Sequence, residues 1–104
     1  MYFIQPTRNI PYLDQVLSAL PGVQMIHIDD INLYDPTILA IADVQDYLTY
    51  QWSLPTIVLA FENEGMALAQ AWELGALAGW IWNKLPRDPE DSLLKIDAQY
   101  KRNQ

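Results

Sequence analysis

LPTIVLAFENEGMALAQAWELGALAGWIWNK, residues 54–84, decides the fold. Leu54 to Phe61 is an apolar run opened by a proline. Pro55 suits the position just ahead of a strand, because it lacks the amide that a central ladder needs. Thr56 to Phe61 then reads as that strand. Glu64 to Leu77 follows with Met66, Ala67, Leu68, Ala71, Trp72 and Leu74 at helical spacing, and its alanines favour helix. Gly75 and Gly79 flank its end. Gly79 to Trp82 is a second short apolar run, read as another strand. Pro86-Arg87-Asp88-Pro89-Glu90-Asp91 opens a last amphipathic segment. There Asp88 is placed to cap, Pro89 to begin, and Glu90 and Asp91 to meet the helix dipole. Leu93, Leu94, Ile96 and Tyr100 give that helix an apolar side. Strand, helix, strand, helix is the order of a parallel sheet flanked by helices. Such sheets carry their chemistry at the carboxyl ends of the strands. The sequence places almost no chemical equipment there.

Working outward to the N-terminus, Met1 to Gln5 is a short apolar start stopped by Pro6, consistent with a strand. Asn9 is a candidate cap for the next helix, with Pro11 in its first turn. Ile10, Leu13, Val16, Leu17 and Leu20 share one helical face, and Pro21-Gly22 ends it. Val23 to Ile28 is the second strand, and Asp29, Asp30 and Asn32 mark a loop. Asp35-Pro36 also suits a helix start, but Thr37 to Ala42 reads better as a buried parallel strand. Val44 to Trp52 is the crossover helix. Residues 29–36 are too few to hold a helix. The expectation is an α/β, three-layer (βα)5-type parallel sheet with its second helix shortened or missing. It fills one domain over residues 1–104, read as the N-terminal part of a longer regulator.

Composition bounds the function. The chain has 104 residues, enough for one domain with a real core, and 51% of them are hydrophobic, which argues against disorder. Cysteine is absent, so disulfides, thiol catalysis and Cys-ligated metals are excluded. That fits a reducing cytoplasm. A net charge of −7 with only six basic residues disfavours direct nucleic-acid binding, which rests on cations neutralising phosphates. No apolar stretch reaches the ~20 residues of a membrane helix, and Met1-Tyr2-Phe3-Ile4 lacks the basic flank of a signal peptide. There is no Gly-rich phosphate loop and no nucleophile elbow.

A (βα)5 series of this size resembles the response-regulator receiver domain, the CheY-like, flavodoxin-like fold of two-component signalling. Pro55-Thr56-Ile57-Val58-Leu59-Ala60 is similar to the fourth receiver strand. Ala71 to Ile81, with Gly75-Ala76 and Gly79-Trp80-Ile81, resembles the family's passage from helix to fifth strand. Asp88 to Tyr100 resembles its last helix. The N-terminal half matches in order of elements alone.

The resemblance implies a site, and the chain departs from it at each position. The acidic pair that would hold Mg²⁺ after the first strand falls on Gln5-Pro6, which carries no charge. The phosphoacceptor position falls on Ala42, with Asp43 one residue late and therefore turned to the opposite face. The switch hydroxyl falls on Ala60. The Lys after the fifth strand falls on Asn83, with Lys84 one position later. The resemblance thus implies a degenerate pseudo-receiver without cofactor or catalysis. Such domains resemble those that pair subunits or hold a partner in LuxR-type transcription regulators and in cyclic-diguanylate enzymes. A homodimer, or a bound effector domain or partner protein, is expected.

Four Trp in so short a chain are more than a core needs, and Trp is common in interface hot spots. Trp80 and Trp82 share a strand face by the period of two. With Trp72 and Lys84 they form the expected docking surface; Trp52 completes the tryptophan set, and sheet-covering core is the competing reading. Asp43 or Asp46 with a displaced metal is the alternative phosphoacceptor. Asp29, Asp30, Asp43 and Asp46 are a candidate cation set, read more simply as solvated loop acids. Gln5, Asp29, Asp43 and Phe61 are candidates for a small-ligand pocket at the strand ends. His27, the single histidine, has no acid or nucleophile partner in the sequence and is read as structural or surface. Glu62, Glu64 and Glu73 are read as a solvated helix face rather than paired catalytic acids.

Overall fold

The computed structural model describes residues 1–102 apart from Tyr12 and Pro21. The helix end expected at Pro21, and the polar Asn103-Gln104, lie outside the described residues. The elements run in chain order: β1 Tyr2–Ile4, α1 Leu13–Ser18, β2 Gln24–Ile26, β3 Ala40–Asp43, α2 Val44–Tyr50, β4 Thr56–Ala60, α3 Gly65–Glu73, β5 Ala78–Ile81 and α4 Pro89–Arg102. A single 3₁₀ turn, Ile28–Asp30, stands between β2 and β3 where the helix was expected to be missing. All strand pairs are parallel, in the order β2-β1-β3-β4-β5. The architecture is α/β with a five-stranded parallel sheet, compatible with a flavodoxin-like arrangement.

Side chains alternate between two cores because the strand period is two. Ile4, Ala40, Ala42, Val58 and Ala60 face α2 and α3, with Val44, Tyr47 and Ala71. Phe3, Ile41, Ile57, Leu59, Trp80 and Trp82 face α1 and α4, with Val16 and Leu93. The first face is lined by small residues, so α3 lies close to the sheet. Gly79 shows how close: a Cβ there would come within 3.0 Å of the Leu68 side chain.

Several boundaries differ from the sequence expectation, each for a local reason. The helix expected from Glu64 to Leu77 ends at Glu73. Gly75 takes φ +101°, its amide bonds the Trp72 carbonyl, and the Ala76 amide reaches back to Ala71. This is a glycine-terminated end of the Schellman type. The strand expected over Thr37–Ala42 is shifted to Ala40–Asp43, because the Asp35 carboxylate holds Thr37 in a turn through its amide at 2.9 Å and its hydroxyl at 2.6 Å. The first helix is described from Leu13, and the capping expected of Asn9 turns on Tyr12, which lies outside the described residues. The last helix begins as read: the Asp88 carboxylate accepts the Asp91 amide at 3.1 Å.

Candidate functional site

The carboxyl ends of the strands meet above the sheet, and one cation sits at the centre. Arg8 lies in the loop between β1 and α1. Its guanidinium donates from Nε and Nη2 to the two oxygens of Asp43, at 2.7 and 2.8 Å. It also donates from Nη1 and Nη2 to Glu64, at 3.0 and 2.7 Å. Both contacts use the planar fork that suits Arg to carboxylates. The ring of Phe61 lies beneath the guanidinium, 5.0 Å from centroid to Cζ.

Asp43 is the last residue of β3 and is completely buried. This corrects the reading that placed it one residue beyond the strand. It continues the alternation of Ile41 and points to the α1/α4 side, where the Trp82 indole N–H donates to Oδ1 at 3.2 Å. Every polar atom of the carboxylate is therefore used. Nothing reaches it from solvent unless Arg8 moves. Burial pushes the Asp43 carboxyl up, against the opposing pull of Arg8 and Trp82.

Glu64 corrects a second expectation. It is not a solvated helix acid but sits at the threshold of α3 with its side chain turned inward. Besides Arg8, its carboxylate accepts the Phe61 amide at 2.8 Å and Gln45 Nε2 at 2.8 Å. Arg8, foremost, and these other donors pull its pKa down to about 2. The two carboxylates, Glu64 first, hold the Arg8 guanidinium further above its ordinary value. Asp46, buried in the first turn of α2, accepts the amide and hydroxyl of Thr7. Two successive residues of one loop, Thr7 and Arg8, are thus tied to the β3–α2 junction.

The remaining candidates separate. Gln5-Pro6 and Ala60 stand uncharged at the ends of β1 and β4, while Ala42 is buried on the opposite face from Asp43. Asp29 and Asp30 lie in the 3₁₀ turn past β2, and Asp29 is solvent-exposed beside His27. His27 Nδ1 accepts the Asp29 amide at 3.2 Å and so caps that turn. Among the described residues no three His, Asp or Glu side chains converge as metal ligands. None of the main clefts among the described residues is lined by Gln5, Asp29, Asp43 or Phe61. A cleft of about 360 Å³ beside the site is lined instead by Gln15, Val16, Trp82, Asn83 and Leu85.

The tryptophans divide three to one. Trp52, Trp80 and Trp82 are buried, which removes Trp80 and Trp82 from the expected docking surface. Trp82 is 1% exposed and packs against Phe3 and Phe61 with ring centroids 6.0 and 6.4 Å apart. Trp72, on the outer side of α3, is 65% exposed. Lys84 is also exposed and pairs with Glu62 at 2.6 Å.

Arg8 escaped the sequence reading, although a signal existed. It is one of six basic residues in an acidic chain, and it follows the first strand by only a few residues. A lone cation at one strand end facing acids at two others is a pairing that topology makes visible. Comparison of the chain with protein-family models, with curated proteins and with solved structures returns no match.

Proposed function

We propose that this chain is a non-enzymatic, CheY-like pseudo-receiver that does not accept phosphate. It works by pairing with a second copy or by holding a partner, on behalf of a transcription-regulator or cyclic-diguanylate effector domain. The observation that carries this reading is the bidentate Arg8–Asp43 pair. A phosphoacceptor carboxylate needs a free oxygen and a nearby cation that also grips the incoming phosphoryl group. Asp43 has neither: both oxygens are occupied, and its cation is covalently part of the chain. The strand order, shared by flavodoxin-like sheets, supports the same reading. So does the exposed apolar surface of α3, where Met66 is 82% and Trp72 65% exposed.

A second reading has one observation in its favour. Asp43 does end β3, where a receiver acceptor would stand. Incubation with a small phosphodonor and Mg²⁺, followed by intact mass measurement, separates the two. The expected outcome is an unchanged mass. A gain of one phosphoryl group that disappears in Asp43→Asn would establish the acceptor instead. Light scattering behind size exclusion tests the pairing role, and a strict monomer at high concentration with no retained partner would count against it.

A further inference from the structure

We infer that Arg8 is a built-in cationic pin that sets the conformation of the Phe61–Glu64 loop and, through it, the seat of α3. Four separate elements meet at this one charged cluster. The β1–α1 loop supplies Arg8, the end of β3 supplies Asp43, and the β4–α3 connection supplies Glu64. The first turn of α2 adds Gln45. Glu64 is the relay. Its carboxylate gathers Arg8, Gln45 and the Phe61 amide, while its own amide bonds the Phe61 carbonyl at 2.9 Å and its carbonyl accepts the Leu68 amide at 3.0 Å. The loop and the first turn of α3 are therefore closed by bonds that converge on one residue.

Phe61 also packs against Trp82, but the other polar ties on this loop are weak. Glu62–Lys84 is a solvent-exposed pair, and such pairs contribute little because water screens them. The first turn of α3 has no side-chain cap, and it begins with Gly65, a poor helix former. Remove the guanidinium, and the inward-turned Glu64 and the buried Asp43 face each other across a gap with no counter-charge. The carboxylate best able to leave is Glu64, because Asp43 is fixed by the strand and by Trp82. Its departure releases the Phe61 amide and the start of α3 together. The pin thus makes the position of the exposed α3 surface depend on a residue at the opposite side of the site. This holds whether or not that surface pairs with anything.

Backbone amide exchange on the full chain tests the pin. In Arg8→Ala the amides of Phe61, Glu64 and Leu68 should exchange faster by a factor on the order of ten or more, the loss of charge-assisted bonds that hold a local unit closed. The amides of Ala40 and Leu77, bonded to Pro55 and Thr56 at the amino ends of the strands, should change much less. Methylguanidinium, added to fill the vacated place, should restore protection at the loop, and an equal concentration of sodium should not. Arg8→Lys keeps the charge without the fork and covers the case in which the alanine variant does not fold. It should show a smaller acceleration confined to the same amides. Uniform acceleration across loop and amino-end amides, or none at Phe61 in either variant, would overturn the inference.

Discussion

The carboxyl end of the sheet and the outer side of α3 invert the usual arrangement of a globular surface. At the first, charged groups are drawn inward and fully partnered: no buried side-chain polar atom among the described residues lacks a hydrogen bond. At the second, Met66 and Trp72 stand in solvent on a helix whose sole charged residue is Glu73. Buried charge is retained only where geometry supplies near-complete compensation. Open apolar area on a helix gains from being covered. The place where a parallel sheet ordinarily meets its ligand is already occupied from within. The unsatisfied surface lies on the helix next to it.

The largest way to break this contrast is at Trp82, which belongs to both the core and the charged site. Trp82→Ala removes two ring contacts and the indole donor to Asp43. It should cost about 3–5 kcal/mol of folding stability, the usual price of truncating a buried Trp. Urea denaturation checks this. A cost below ~1 kcal/mol would mean that the packing of the ring on Phe3 and Phe61 contributes little to the fold.

Acid sharpens the same contrast, with a smaller effect. Glu64 titrates at about 2 when folded, against an ordinary 4.5. A depressed acid stabilises the fold fully above its unfolded value, and that contribution is lost as pH falls from about 4.5 towards 2. Its size is roughly 2–3 kcal/mol at most for a group this well sheltered. Asp43 works in the opposite sense. Its pKa is raised by burial, so protonating it relieves a cost, and the net acid loss is smaller than the share of Glu64 alone. Arg8 and Asp46 are the charged groups that act on Asp43. Stability measured from neutral pH down to pH 3 should therefore fall, and Glu64→Gln should be less stable at neutral pH with a flatter acid limb. An unchanged limb in that variant would place the titrating group elsewhere.

How much of this was legible in the sequence varies with the kind of signal. The β4–α3–β5–α4 order came through because apolar runs, glycine stops and an Asp-Pro helix start are local and mutually consistent. The missing helix after β2 came through from length alone. The start of β3 did not, because the Asp35–Thr37 turn consumes residues that hydropathy assigns to the strand. The charged site was least legible. Arg8 and Glu64 are 56 residues apart in sequence, and neither belongs to a motif. Only the sheet order brings their loops together. The tryptophans failed for a related reason: composition counts them, but the alternation along β5 and the turn beyond it decide which are inside.

The smallest folding effect and the most telling contrast belong to Trp72. It stands on a helix, mostly in solvent, and truncating it should change folding stability by no more than about 0.5 kcal/mol, as for other surface substitutions. If the α3 surface is the docking face proposed above, Trp72→Ala should weaken self-association or partner binding by about tenfold or more, the range of an aromatic hot spot. Trp82→Ala gives the reverse pattern, a large loss of fold whose effect on association follows the folded fraction. Analytical ultracentrifugation of both variants, in buffer where each remains folded, reads the two effects separately. Association unmoved by Trp72→Ala would take the docking role away from this helix. It would leave the pinned strand ends and the surface around Lys84 as the places to look next.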